Sequence, residues 1–268
     1  HVATIYEVYL QPPSVADRSC NLSCETSMKA AYYERQGPAR DVLVVGHVRT
    51  PEPGPGEVRV RVHFSGVNPT DIKGRDGFAG PMRFPMVIPH QDGAGRIDAV
   101  GAGVSKSRVG ERVWIYEAQH GRPHGTAAEY VVIPGANAVK LPDNVFLEIG
   151  ACLGIPALTA HRCLFADGHL HGRRVLVQGG AGAVGTAAIL LAKWAGAWVA
   201  TTVSNADQAV LATTAGADLV IQRKTSDVAA AVLLATHDAG VDRIVDVNIA
   251  ANLEVDLACL ADGGVISA

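Results

Sequence analysis

The chain holds 268 residues, enough for two domains, and its 48% hydrophobic and 18% charged residues have the balance of an ordinary water-soluble fold. A formal net charge of −3, with lysines and arginines scattered, leaves no basic surplus for nucleic acid or an anionic membrane, and the longest apolar stretches fall short of a spanning helix. Five dispersed cysteines, an odd number, exclude a disulfide framework and point to a reducing, cytoplasmic setting; Cys20 and Cys24 form a C-x3-C pair with no second pair at zinc-site spacing.

Residues 1–27 show no sustained period and lack the basic start and apolar middle of a signal peptide, so they are expected to be an extension before the folded part. The β-prone IYEVYL at 5–10 leaves a genuine strand as the alternative. From Met28 to Pro142 the chain is short β-prone runs divided by Gly and Pro. EVRVRVHFSGV (57–67) alternates apolar and charged side chains as a half-buried strand does, and DGAGRIDAVGAGV (92–104), GERVWIY (110–116) and AAEYVVI (127–133) add further strands. Many short strands at this spacing predict a small barrel or sandwich over 28–142.

The pattern changes over 143–268. FLEIGACLGIPALTAHRCLFA (146–166) carries apolar residues at helical spacing, broken near Pro156. Strand VLV (175–177) is followed by a glycine turn and a helix that starts near Val184 and runs to Trp194. Then come strand WVATTVS (198–204), helix NADQAVLATTAG (205–216), strand ADLVIQ (217–222), helix SDVAAAVLLATHDAG (226–240), strand DRIVDV (242–247) and the start of a fifth strand in GGVISA (263–268). Strands alternating with helices predict a doubly wound parallel sheet, giving an α/β chain overall.

The turn between the first such strand and its helix reads GGAGAVG, with glycines at Gly179, Gly180, Gly182 and Gly185. It fits G-x-G-x-x-G from Gly180 and G-x-x-G-x-x-G from Gly179, in the strand–turn–helix context a dinucleotide site requires. Such a turn can also be purely structural; the βαβ units downstream favour the dinucleotide reading. Backbone at Gly179, Ala181, Gly182, Ala183, Val184 and Gly185 is then the pyrophosphate cradle, with the positive end of the helix dipole facing the phosphates. The second strand ends in Ser204 and Asn205, with no carboxylate until Asp207. An acid there would bind the ribose hydroxyls of NAD and repel a 2′-phosphate, whereas a small polar residue leaves room for NADPH.

The motifs VNPTDIKGRDG (67–77), HQDGAGRIDAVGAGV (90–104), VGERVW (109–114), GIPALTAH (154–161) and VLVQGGAGAVG (175–185), in this order, resemble the quinone oxidoreductase (zeta-crystallin-like) branch of the zinc-independent medium-chain dehydrogenase/reductases. The resemblance implies a GroES-like β-barrel domain followed by a Rossmann domain. The extension before Met28 has no counterpart in the family, and family members continue past the position of Ala268, so the Rossmann domain is expected to be incomplete. It also implies an NADPH-dependent enzyme that passes hydride to a small quinone or activated enone, usually as a homodimer or homotetramer. The zinc-ligand positions of related alcohol dehydrogenases fall on Asn68, Gln91 and around Gly154, none of them a thiolate or imidazole, so no metal is expected. His120 and His124 read as solvated loop histidines.

Asn68, Lys73 and Thr159 are the catalytic candidates: the resemblance places Asn68 near the nicotinamide or the substrate oxygen and Thr159 beside the nicotinamide ribose, while Lys73 departs from the tyrosine often found there and offers an ammonium to stabilise an oxyanion. Asn68 serves equally as a turn residue beside Pro69, Thr159 as an ordinary helix threonine, and Asp71 as a cap or as a group orienting Asn68. Arg223 and Lys224 match adenosine-phosphate contacts, with a solvated loop pair as the alternative; Gln208 stands where some relatives carry a lysine. Asn252 matches a cofactor contact or a helix cap before LEVDLA. Two other functions stay open. One is a cofactor-binding or structural member, crystallin-like or RNA-binding, with little chemistry. The other is an alcohol dehydrogenase whose zinc site is displaced onto near misses such as His90 and Cys152.

Overall fold

The structure is a computed structural model that describes residues 27–78 and 80–268, so the expected extension, apart from Ser27, and the Cys20–Cys24 pair lie outside the described residues. The chain forms two compact units, one ending at Ile155 and the other spanning Pro156–Ala268. The chain leaves the first unit beyond Pro142, where the sequence pattern changes.

In the first unit β1 (Ser27–Tyr32), the short helix α1 (Ala39–Val42) and β2 (Val44–Arg49) make an antiparallel ribbon. Next come β3 (Glu57–Gly66), helix α2 (Pro69–Arg75), β4 (Asp92–Val100), β5 (Arg112–Ile115), β6 (Tyr130–Pro134), β7 (Ala138–Lys140) and helix α3 (Leu147–Gly150). The strands form an antiparallel sheet in the order β6-β3-β4-β5-β7. Its core follows the period of two read from the sequence: Val58 and Val60, Val113 and Ile115, Val131 and Ile133 are buried while their neighbours are more exposed. Helix α2, where a turn was expected, starts at a Pro in its first position, with Asn68 before it and Asp71 in its first turn.

The apolar run after α3 does not continue as one helix. Leu153–Ala157 forms a π-helical turn containing Pro156, which has no N–H to give and crowds the preceding turn, and helix α4 (Leu158–Phe165) follows.

In the second unit β8 (Arg174–Val177), α5 (Ala183–Trp194), β9 (Trp198–Val203), α6 (Ala206–Thr214), β10 (Leu219–Gln222), α7 (Val228–Ala235), β11 (Val241–Val245), α8 (Ile249–Cys259) and β12 (Leu260–Ser267) alternate. The strands are all parallel, in the order β10-β9-β8-β11-β12. Both faces are covered: Val175 and Val177 pack with α4 and α5, while Leu176 and Ile244 pack with α7 and α8. The direction of winding reverses between β8 and β11, and in such sheets ligands bind outside the carboxyl ends of the strands at that reversal. Helix α7 stops earlier than expected. The hydroxyl of Thr236 donates back to Val232 O at 2.8 Å, and His237 and Asp238 take positive φ values of 52° and 62°. No helix of the described residues is long and apolar enough to cross a membrane.

Candidate active site

At the end of β8 the chain enters the glycine turn, anchored on both sides. Gln178 N donates to Val245 O at 2.9 Å and Gly180 N to Thr202 O at 3.0 Å. Gly179 has φ +72°, a left-handed conformation that glycine adopts without a steric penalty. Gly182 precedes α5 and has no side chain to cap it, so the first N–H groups of the helix, from Ala183 onward, have no partner within the helix. A Cβ at Gly185 would fall on Gly179 O and within 2.8 Å of Gly180 Cα, so only glycine lets the helix sit this close to the turn. The result is a concave run of backbone donors at a helix N-terminus, a fit for a diphosphate.

The ends of β9 and β10 bring Ser204 and Arg223 together. Arg223 Nε donates to Ser204 Oγ at 3.1 Å, and Ser204 N donates to Gln208 Oε1 at 2.8 Å. Arg223 and Lys224 are exposed, and neither pairs with a carboxylate among the described residues.

Asn252 is not a helix cap. Helix α8 begins at Ile249 with Asn248 at its N-cap, which places Asn252 inside the helix, where Nδ2 donates to Asp246 at 3.1 and 3.2 Å. Asp246 also accepts from Asn248 N at 2.8 Å. Behind the glycine turn lies a second carboxyl, Asp256, fully buried and joined to Gln178.

The first unit carries a separate polar cluster. Asn68 is 5% exposed, and its Nδ2 donates to Asp92 Oδ2 at 2.7 Å. Asp71 accepts from Asn68 N at 2.7 Å, so it caps α2 and holds Asn68 at once. Asp92 Oδ2 also accepts from Ile155 N at 2.8 Å, while Oδ1 is buried with no partner among the described residues. Burial first, opposed by the Asn68 N–H and reinforced by the charge of Asp92, pushes Asp71 up to about 7. Burial likewise pushes Asp92 up to about 6 against its Ile155 and Asn68 hydrogen bonds. A chain of hydroxyls flanks the cluster: Thr126 Oγ1 donates to Asp92 O at 2.5 Å, Ser65 Oγ bonds Thr126 Oγ1 at 2.8 Å, and His90 Nδ1 bonds Ser65 Oγ at 2.8 Å. Since Thr126 spends its proton on the carbonyl, Ser65 donates to Thr126 and His90 donates from Nδ1. Burial holds the His90 pKa at about 4, which makes it a neutral imidazole.

Lys73 stands on the exposed side of α2, its ammonium 5.5 Å from the Phe78 ring centre and outside the buried cluster. Thr159 is half-buried in the first turn of α4, in the second unit. His124 is not a solvated loop residue: it bridges Ile88, is half-buried, and burial lowers its pKa.

The zinc-ligand positions do not fit the metal. Asn68 offers an amide already bonded to Asp92, and Gln91 Oε1 accepts from Gln119 N at 3.1 Å. At Gly154 any Cβ would land on the Asp92 carboxylate. Cys152 has its thiol raised by burial and by Asp92, and His90 is committed to Ser65. Among the described residues no group of three or more His, Cys, Asp and Glu side chains is placed to hold a metal ion.

The sequence reading passed over Asp92, Gln178, Thr202, Asp246 and Asp256. Asp92 left a local trace, directly after Gln91 in HQD, and Asp246 meets the nearby Asn248 and Asn252, whereas Gln178, Thr202 and Asp256 meet across 24 to 78 residues of sequence.

Residues 54–143 match the Alcohol dehydrogenase GroES-like domain, and residues 183–268 match Zinc-binding dehydrogenase. A quinone oxidoreductase of Rattus norvegicus is 33% identical over 218 residues, which are 81% of this chain and 65% of that protein. The chain thus spans about 65% of the length of the curated relatives it matches first. A solved quinone oxidoreductase of Pseudomonas syringae pv. Tomato DC3000 superposes with a TM-score of 0.79 at 32% identity, covering 89% of this chain and 72% of that one. An NAD-dependent alcohol dehydrogenase superposes at 0.83 and 32% over 89% and 76%. A mycobacterial protein solved in complex with NADPH gives 0.74 and 33% over 89% and 72%.

Proposed function

We propose that this chain, which belongs to the medium-chain dehydrogenase/reductase family, works as an NADPH-dependent oxidoreductase that reduces a quinone or an activated enone without zinc. The observation that carries the coenzyme choice is the Ser204–Arg223 contact at the end of β9, where Arg223 pairs with no carboxylate among the described residues. Arg223 uses Nε on Ser204 and leaves its two terminal nitrogens for a 2′-phosphate, with Lys224 adjacent. The glycine turn and the first turn of α5 would hold the diphosphate, and Asn252 the nicotinamide half. The bound coenzyme supplies the hydride.

The remaining chemistry is orientation. Asp92 fixes the Asn68 amide with Nδ2 inward, and the Asn68 side chain takes the Asp71 N–H in the capping box of α2, which leaves the second amide N–H to meet a ligand. With no ligand set for a Lewis acid among the described residues, the acceptor that suits this site is one whose conjugation takes up the incoming electron pair, which is the chemistry of quinones and enones. Lys73 and Thr159 remain candidates for the substrate oxygen and the nicotinamide ribose.

The test follows NADPH absorbance against a panel of quinones and enones, with and without a chelator. Turnover that survives chelation is expected; turnover lost on chelation, or none with any acceptor, overturns the reading. Arg223→Ala removes a charge-assisted contact and should raise KM for NADPH about tenfold or more beyond its effect on KM for NADH. Equal effects on both coenzymes would rule out Arg223 as a phosphate ligand.

A further inference from the structure

Three buried side chains behind the glycine turn, with the Gly179 N–H, form a directed hydrogen-bond chain that the proposed chemistry does not use. Gly179 N donates to Thr202 Oγ1 at 3.0 Å, Thr202 Oγ1 donates to Gln178 Oε1 at 2.7 Å, and Gln178 Nε2 donates to Asp256 Oδ1 at 2.6 Å. Each link fixes the next. The single Thr202 proton goes to Gln178, which leaves the Thr202 oxygen to receive Gly179 and turns the Gln178 amide nitrogen towards Asp256. Gln178, Thr202 and Asp256 are 7%, 2% and 0% exposed, so water does not substitute for a lost link.

The chain ends on an acid with an acid beside it. Asp256 Oδ2 is buried and receives no hydrogen bond from an N–H or O–H donor among the described residues. Asp246, 1% exposed, lies close enough for its charge and a carboxyl–carboxylate hydrogen bond to act on Asp256. Two buried carboxylates side by side repel unless one keeps a proton. The other titratable group facing Asp256 is the Cys259 thiol on α8, pushed up to about 11 by burial and by Asp256. Gln178 and Thr202, from β8 and β9, are uncharged, and α7 brings the apolar Val228 and Val232.

We propose that Asp256 is a positioning residue for the glycine turn. One proton shared between Asp256 and Asp246 keeps the Gln178–Thr202 relay, and through it Gly179, in the conformation that receives the coenzyme diphosphate. Asp246 also accepts from Asn252 Nδ2 on both of its carboxylate oxygens, so the carboxyl pair is linked to Asn252 as well as to the turn. This rests on the reading of the turn as the coenzyme site. Burial, opposed by the Gln178 hydrogen bond and reinforced by Asp246, raises the proton affinity of Asp256 above that of an ordinary aspartate. The proton is therefore held at acid pH and lost as pH rises through about 6, after which the two carboxylates push apart and the relay loosens.

Asp256→Asn separates this from a merely structural role, because the amide accepts from Gln178 and donates permanently to Asp246. Two readouts apply between about pH 5 and about pH 8.5: the Kd for NADPH by fluorescence, and hydrogen exchange of the Gly179–Gly185 segment in the coenzyme-free protein, corrected for intrinsic rates. The ratio of wild-type to variant Kd cancels the titration of the 2′-phosphate itself, and it is expected to rise about tenfold across the range, with segment exchange rising in the wild type alone. Parallel profiles in the two proteins overturn the proposal. If Asp256→Asn does not fold, Gln178→Leu breaks the relay and leaves the carboxyls untouched. Its turn should exchange about tenfold faster, with the pH step gone, and wild-type exchange in that variant would overturn the proposal. Exchange profiles that diverge as expected in a protein that binds no NADPH would leave the relay standing and sink the coenzyme reading instead.

Discussion

The glycine turn and the Asn68 cluster are built from opposite materials. The turn is backbone: its donors are N–H groups, its shape is set by what a Cβ would strike at Gly185, and nothing in it titrates. The cluster is side chain: an amide, two carboxyls and a hydroxyl relay, held by Ile155 N and by the cap of α2. Backbone shape is set by sterics and does not itself titrate, so pH reaches the turn only through the Asp256–Asp246 pair behind it, whereas a buried carboxyl carries its ionisation cost wherever it sits. The two regions should therefore fail under different insults.

The largest expected difference is electrostatic. Asp71 titrates near 3.8 unfolded and about 7 in the folded protein, so the folded state binds more protons through that window. Its contribution is complete below the unfolded value and is lost as pH rises through the folded one, at 1.36 kcal/mol per unit of pKa, or at most about 4 kcal/mol. Asp71→Asn keeps an acceptor for Asn68 N and cannot ionise. Denaturant melts should show the variant near wild type at about pH 4 and increasingly more stable than it towards about pH 8. A difference that stays flat, or reverses sign, would show that the cluster is hydrated enough to behave like the turn.

The same contrast explains what the sequence disclosed. The turn was legible because glycine spacing is a local record of backbone geometry, and the parallel sheet because its strands and helices alternate in period. The end of β9 was legible for a similar reason: Ser204 and Arg223 each end a readable strand, and adjacent parallel strands bring their ends together. Helix α2 was missed although Pro69 and Asp71 carry its start, because seven residues are too few to show a helical period. The carboxyl networks left no such record. Asp92 meets Asn68 and Ile155, and Asp256 meets Gln178, through folding across 24 to 78 residues, where no local pattern reaches. The cap alternative for Asn252 fails for a related reason: asparagine suits a cap at Asn248 or Asn252, and only the first has the chain geometry of one.

The next effect is steric and confined to the turn. Gly185→Ala drives a methyl onto Gly179 O and Gly180 Cα, backbone atoms held by Thr202 that cannot swing aside. The helix must lift off the turn, at about 3 kcal/mol, the upper part of the overpacking range. NADPH titration at about pH 5, where the relay behind the turn is intact, should show binding weakened about a hundredfold or lost. A variant with unchanged Kd would mean that the turn tolerates displacement and is not the diphosphate cradle.

The smallest effect tests where the two materials meet. Gly154 is backbone, yet what a Cβ there would strike is the Asp92 carboxylate, a side chain that can rotate. Gly154→Ala should therefore cost less than Gly185→Ala, about 1–2 kcal/mol, because Asp92 yields and gives up its hydrogen bonds from Ile155 N and Asn68. Since Asn68 then loses its orienting partner, turnover should fall more than NADPH affinity does, the reverse of the Gly185→Ala pattern. Combining it with Asp92→Ala relieves the clash, so the double variant should be more stable than the two single losses sum to. Strict additivity would mean that Gly154 and Asp92 do not share the space in solution, and that the third ligand position is open after all to a side chain.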